Sequence, residues 1–551
     1  MGVPVIKLYN FFMFVRKKQN KSGSISIQII QKIDRKNKVV ETLGCSKNIE
    51  EIEQLYNQGL ERIKELEPNL FDIVDFYENS KKKLSNKDMR IIGDELILGK
   101  IFQNIGCSNL QLNSKQKDLF KYFVISRLLY PGSKLYLIDY LKIYKKVDID
   151  KNKIYRFLDT IYQDNIKSSV EQCVFNHTQK IMDNTIVVTF YDVTTLYFES
   201  ESEDDLRRIG FSKEGKLARP QIQLGLFTTL EGYPLSYEVY EGNKYEGHTL
   251  IDILQKFQTK FNLQQKPIVV ADRGMLTNAN IAYLENNHYK YILAYKIKNI
   301  DTKLKEQIAK LTFTSDGVIN TIDIKNKEIN YKETINNEEL KQTINVNQKL
   351  ILTYSSKRAK KDKYTREKAL EKIEAKLNKN VTKSDLKLSY YAKYLDVVQT
   401  SLRNSTSLHE DKCDMKYKLN NTKIENDAKL DGIKGFVTND FTIPSKDVIA
   451  HYQNQYEVER AFRISKTDLK IRPIYHRLES RIKAHILISF VSYAIYKEFE
   501  RKIKLSKLDI KFKLTFDHIK NMYGYKSIFG IEPLEFDDIQ QQIYDAVYKN
   551  N

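Results

Sequence analysis

Two apolar runs, each closed by an aspartate, constrain this chain more than any other feature. Residues 185–191 (TIVVTFY) lead into Asp192, and residues 267–271 (PIVVA) lead into Asp272. Neither run alternates apolar with polar side chains, so each reads as a strand buried on both faces. A sheet built from such strands needs a layer of helices on each side. A carboxylate that ends such a run has moved from a dry interior to the sheet's rim, where ligand sites of open α/β sheets form. One aspartate there reads as a turn or helix cap; two strand ends in one sheet read as a site.

The surrounding pattern agrees. Strand candidates at 222–228 and 235–240 flank the turn Glu231-Gly232, a helix follows at 249–260, and 278–286 and 289–294 read as helix and strand. The order β, β, β, α, β, α, β combines a hairpin with crossovers and predicts a mixed sheet. Upstream, residues 1–45 read as a small β unit with a hairpin turn at 34–38, and 49–67 as a helix. The stretch 86–181 reads as mainly helical, broken at Tyr130-Pro131-Gly132-Ser133-Lys134. Between 300 and 430 that order is lost. Short strand candidates (319–324, 350–353) alternate with charged segments, the richest at 357–368, where Lys360, Lys361 and Lys363 fall. A strand resumes at 432–438, followed by helices from Ser445 past Lys466, at 478–502 and 514–523, and at 536–548.

Of the 551 residues, 91 are Lys or Arg and 71 Asp or Glu, a net charge of +20. Such an excess suits a polyanion partner, with a solvated lysine-rich surface as the plainer reading. The four cysteines are scattered and form no C-x-x-C, against a zinc site or a disulfide scaffold and for a reducing compartment. The longest apolar stretch, 484–496, has 13 residues, too short to cross a bilayer. The apolar segment 3–15 precedes its basic cluster, the reverse of a secretory signal. A soluble intracellular protein is expected. The P-loop, zincin and nucleophile-elbow motifs are missing from the sequence, and His248, His476 and His485 read as structural or DNA-side contacts.

A third acid lies in the segment 452–466 (YQNQYEVERAFRISK). At 100° per residue, a continuous helix places Tyr452, Gln455, Glu459, Arg463 and Lys466 on one arc of about 80°, with Glu457 almost opposite. That face joins a carboxylate to bases and a tyrosine, as a carboxylate site beside phosphates would; the plainer reading is a solvated charged face. Converging carboxylates need a hard cation, Mg²⁺ or Mn²⁺, and a pair of such ions about 4 Å apart suits phosphodiester chemistry.

These residues together resemble an insertion-element DDE transposase of the IS-four superfamily, in the branch with a long insertion before the final glutamate. That superfamily's signature is Y-x2-R-x3-E-x6-K. Tyr452, Glu459 and Lys466 match it at the right spacing, while Gln455 stands at the arginine position. The segments 191–195 (YDVTT), 271–274 (ADRG), 461–466 (AFRISK), 472–477 (RPIYHR) and the Gly242-Asn243 pair resemble the same branch, as does the strand from Asp431-Gly432 to Thr438-Asn439; the likeness covers roughly 120–500.

The resemblance implies an α/β (mixed) fold: an RNase H-like core with an inserted mainly-β domain, a helical N-terminal region and a helical C-terminus. It divides the chain into an N-terminal β hairpin with helices (1–85), a helical DNA-end-binding region (86–182), the leading segment of the catalytic core (183–299), the inserted β-rich domain (300–430), the closing segment of the core (431–500) and a C-terminal helical region (501–551). Asp192, Asp272 and Glu459 would be the catalytic residues and metal ligands for two Mg²⁺ (or Mn²⁺) ions. Tyr452, Lys466, Arg463, Arg273, Lys360, Lys361 and Lys363 would contact double-stranded DNA. The implied activity is cleavage of element ends (terminal inverted repeats) and transfer of the 3′-OH strands to target DNA by a homodimer in the bacterial cytoplasm, associated with the nucleoid. A metal-dependent nuclease on the same core, or an end-binding relic impaired by Gln455, are the alternatives. Hairpin-forming relatives stack a flipped base on an aromatic, often Trp, and this chain has no Trp.

Overall fold

Burial on both faces is what the strands leading into Asp192 and Asp272 show. In the first, Phe190, Tyr191 and Val193 are at most 1% exposed; in the second, Val269, Val270 and Ala271 are fully buried. The structure, a computed structural model, describes residues 13–549 other than 34–35, 67–88, 164–165, 184–185, 213–214, 217, 262, 264, 298–299, 314, 336–337, 378–392, 402–413 and 528–529. Thr185, the expected start of the first run, and residues 3–12 of the apolar N-terminal segment lie outside these.

The chain forms two compact units. The larger, Leu98–Asp139 with Ile149–Leu505, holds an eight-stranded mixed sheet. Its strands in chain order are β1 (Val188–Tyr197), β2 (Gln221–Thr229), β3 (Pro234–Glu241), β4 (Ile268–Ala271), β5 (Tyr291–Tyr295), β6 (Ile319–Ile335), β7 (Glu338–Tyr354) and β8 (Ile433–Thr438). Their order across the sheet is β6-β7-β8-β5-β4-β1-β2-β3. β2 runs antiparallel to both its neighbours β1 and β3, and β4 and β5 join β1 in parallel. The five-strand order 3-2-1-4-5 with that pattern is an RNase H-like core. The region expected to form an inserted β-rich domain carries the hairpin β6–β7, which with β8 continues this sheet antiparallel beyond β5. The same region also holds a 22-residue helix, Ser356–Leu377, shorter helices Thr302–Ala309 and Asn421–Ala428, and a two-stranded sheet of Leu395–Ser401 with Asp414–Leu419.

Local chemistry explains the layers. Helix Thr249–Phe261 puts Leu250, Ile253, Leu254, Phe257 and Phe261 on one stripe, which packs against the sheet through Tyr191 and Phe227. Phe175 stacks on Phe261 with ring centroids 4.1 Å apart and meets Phe257 edge-on. The Tyr191 hydroxyl donates to Thr249 Oγ1 at 2.8 Å, and its ring fills the space over Gly225, where a Cβ would stand 2.5 Å from that oxygen. The apolar stretch 484–496 sits in helix Glu479–Leu505, which is buried almost all round and meets β3 through Phe490 and Tyr237. No helix among the described residues is long and apolar enough to cross a membrane.

The smaller unit, Met1–Ile97 with Tyr140–Asp148 and Ser506–Asn551, contains an antiparallel sheet of Met13–Gln19, Ile25–Ile33 and Lys36–Ser46. Helix Ile49–Leu66 closes its small core on Val15, Ile27 and Ile29. The same unit brings the C-terminal segment onto Met89–Ile91, which pairs with Tyr523–Ser527. That C-terminal segment, expected to be helical, carries a short hairpin between helices Phe512–Lys520 and Asp538–Tyr548.

Candidate active site

The parallel pairing of β1 with β4 places Tyr191 opposite Ala271, so Asp192 and Asp272 follow a matched pair on neighbouring strands. Asp192 does not end its strand as expected. β1 runs on to Tyr197 against β2, while β4 stops at Ala271 and leaves the flank of Asp192 uncovered. The Asp192 carboxylate accepts the Val193 N–H at 2.7 Å, and Asp272 is exposed.

The segment 452–466 departs from the single helix expected. One helix spans Ser445–Gln453 and a second Tyr456–Arg463. Between them, three successive tight turns replace the α-helical ladder: Gln455 N–H to Tyr452 O, Glu457 N–H to Asn454 O and Val458 N–H to Gln455 O. After Arg463 the chain widens into a π turn, with Leu469 N–H bonded to Ile464 O at 2.9 Å. A projection at 100° per residue fails across both breaks, so the five residues do not share one helical face.

What the breaks achieve differs at each residue. Tyr452, at the end of its helix, donates its hydroxyl to Asp272 Oδ1 at 3.2 Å, and its ring lies against Phe436. Burial and the charges of Asp272 and Asp192 push this phenol above its usual range, with Arg273 opposing, so it remains a neutral donor. Gln455 is buried at the start of the second helix, 7% exposed. Glu459 and Arg463 lie exposed one turn apart on that helix. Glu457 turns inward, where Arg460 at 3.3 Å and Lys497 at 3.6 Å flank it. Lys466 Nζ donates to Thr194 Oγ1 at 2.6 Å. Thr194 stands two residues beyond Asp192, hence on the same face of β1.

Beside this cluster lies a cleft of about 490 Å³, lined by Arg273 and Tyr452, by the rim of β5 and β8 and by helix Ser356–Leu377. The helix contributes Arg358, Asp362, Thr365 and Arg366. Lys360, Lys361 and Lys363 belong to the same helix but not to that lining. By helical geometry Lys360 points about 160° from Asp362, and the other two about 100° to either side. All three are exposed, and Lys363 pairs loosely with Glu367 at 3.8 Å.

A sequence profile described as "Transposase DDE domain" matches residues 183–495, more than half of the chain. The chain belongs to that transposase family. No curated protein matches. Among solved structures, the piggyBac transposase synaptic complex with hairpin DNA, determined by cryo-EM, aligns over 78% of each chain at 8% identity with a TM-score of 0.35.

In this transposase the donor chemistry of Asp192 and Asp272 fits a hard divalent cation, since adjacent carboxylates on paired strands offer anionic oxygens. Among the described residues no group of three His, Cys, Asp or Glu side chains stands close enough to hold an ion, so Asp192, Asp272 and Glu459 do not form one such cluster here. Thr194 was missed by sequence reasoning, although its place two residues after Asp192 was the available signal. Lys296 and Lys434, which line the cleft, carried no motif at all. His485 bonds Ile471 O and Arg127 inside the fold, and His476 packs edge-on against it.

Proposed function

We propose that the chain cuts the ends of a mobile DNA element and joins them to target DNA. The observation that supports this best is the pair Asp192–Asp272 at the rim of an RNase H-like sheet, within a matched transposase domain. Asp192 and Asp272, with Glu459 as third ligand, would hold two Mg²⁺ or Mn²⁺ ions, which when bound activate the attacking oxygen and neutralise the leaving one. In the first step a water oxygen attacks the scissile phosphorus and the 3′-oxygen departs as a hydroxyl. In the second, that 3′-OH attacks a target phosphodiester, releasing a new 3′-OH there.

The chain's own residues position the reactants. Tyr452 holds one oxygen of Asp272 by hydrogen bond and so limits its rotation. Lys466, kept beside Asp192 by Thr194, offers a cation to a non-bridging phosphate oxygen. Arg273 and Arg463 supply further cations, and the exposed Lys360, Lys361 and Lys363 hold duplex DNA. Element ends and target are double-stranded DNA, and two ends call for two copies of the chain, a homodimer.

Strand joining distinguishes this reading from a nuclease. Purified protein, Mg²⁺, a supercoiled plasmid and labelled duplexes carrying the DNA on either side of the coding region, where this reading expects inverted repeats, should yield labelled plasmid. Cleavage of the duplexes with no label entering the plasmid would replace the transposase reading by a nuclease one.

A further inference from the structure

The cleft beside Asp272 holds a row of cations whose charge nothing in its wall answers. Three of its basic residues are spent internally: Arg366 on Asp431 at 2.5 Å, Lys393 on Asp427 at 3.2 Å and Arg358 on Asp362 at 3.5 Å. Arg273, Lys296 and Lys434 form no ion pair among the described residues, and all three are exposed. Topology places them in line. Arg273 follows the end of β4, Lys296 the end of β5, and Lys434 lies at the start of the antiparallel β8, just beyond the pair Gly435–Tyr295. Adjacent strands are about 4.8 Å apart, so the row steps away from the carboxylate pair over roughly 10 Å.

The rings of the cleft are already committed. Phe436 and Tyr452 pack on each other with centroids 4.7 Å apart, and Tyr394 donates its hydroxyl to Asp427 at 2.5 Å. What the cleft offers a ligand is therefore charge rather than a stacking platform. A volume of about 490 Å³ is that of a small-ligand pocket and admits one strand, not a duplex. We propose that Arg273, Lys296 and Lys434 form a track for the phosphodiester backbone of a single DNA strand leading away from the cut. This rests on the transposase reading and adds the path of the strand beyond the reacting phosphate.

The test is equilibrium binding against salt, with a fluorescent blunt duplex and the same duplex carrying a short single-stranded extension of either polarity. Sequence is immaterial, because phosphate contacts are sequence-independent. For the wild-type chain, the slope of log affinity against log salt should be steeper for one extended duplex than for the blunt one. In Lys296→Ala/Lys434→Ala that difference should shrink by about 1.4, at about 0.7 per single-strand phosphate lost. Lys296→Gln/Lys434→Gln should act alike, and Lys296→Arg/Lys434→Arg should restore the difference. A wild type that does not distinguish the duplexes, or a difference unchanged in both charge-removing variants, overturns the proposal. So does protection by a free mononucleotide against thermal unfolding that these variants lose while their DNA slopes stay unchanged. Binding is read without cutting. A chain that shows the track but never joins strands sinks the transposase reading alone, and one that joins strands without the slope difference sinks the track alone.

Discussion

Two glutamates two positions apart do opposite work. Glu457 is half-buried within a charge network of Arg460, Lys497 and Glu500, while Glu459 faces solvent. Burial alone would make Lys497 easier to deprotonate, and Glu500 and Glu457 oppose that shift. The same scale settles Gln455. Its departure from the signature that the sequence resembles suggests a lost phosphate contact, but at 7% exposure, with its backbone N–H and C=O each in a tight turn, the side chain is part of the packing. Gln455→Arg should therefore destabilise the fold by about 1–3 kcal/mol through overpacking and leave cleavage no faster. Thermal denaturation beside a cleavage assay checks this. An unchanged melting temperature with a tenfold gain in cleavage would place the residue on DNA, and Gln455 would then count as damage.

At the scale of elements, the strands were legible and the breaks were not. Continuous apolar runs announced β1 and β4, and the β-hairpin and crossover pattern announced the mixed sheet, because burial on both faces leaves a direct mark on composition. The helix Ser356–Leu377 hid in its own charge: among its described residues only Ala369 and Ile373 are buried, too few to give a clear stripe. The hairpin β6–β7 alternates over 17-residue strands that the sequence showed only in short pieces, since much of it is solvated. The turns at 454–455 left no Gly or Pro to mark them. They follow from tertiary demands, Tyr452 reaching Asp272 while Val458 and Phe462 stay buried in the next helix. Of the site, the two aspartates and Tyr452 could be read from motif and position. The cleft could not, because it depends on which strands of the insertion pair with β5.

For the whole molecule, buried charge sets the response to pH. In the larger unit, His476 and His485 face Arg127, Lys134 and Arg481, with Asp159 the opposing acid beside His476. Burial, followed by these cations, lowers the His476 pKa to about 3 and that of His485 well below its usual value. Both are neutral in the fold and bind protons near 6.5 once unfolded. The unfolded state therefore takes up more protons as pH falls through 6.5, and the stability they contribute, complete above that pH, is lost progressively toward about 3. Between pH 6.5 and 5, above the carboxylate range, the melting temperature should fall, and His485→Gln should flatten the fall; a flat wild-type profile would mean the histidines are protonated in the fold. The account as a whole turns on three carboxylates. With a labelled element-end duplex, cleavage in Mg²⁺ and binding in its absence should be measured side by side for Asp192→Asn, Asp272→Asn and Glu459→Gln. Each should lose at least about a hundredfold in cleavage, because charge stabilisation at the phosphate is removed, while binding stays within roughly twofold. Near-wild-type cleavage by any of the three, or loss of cleavage in folded Glu457→Gln with Glu459→Gln unaffected, would contradict it.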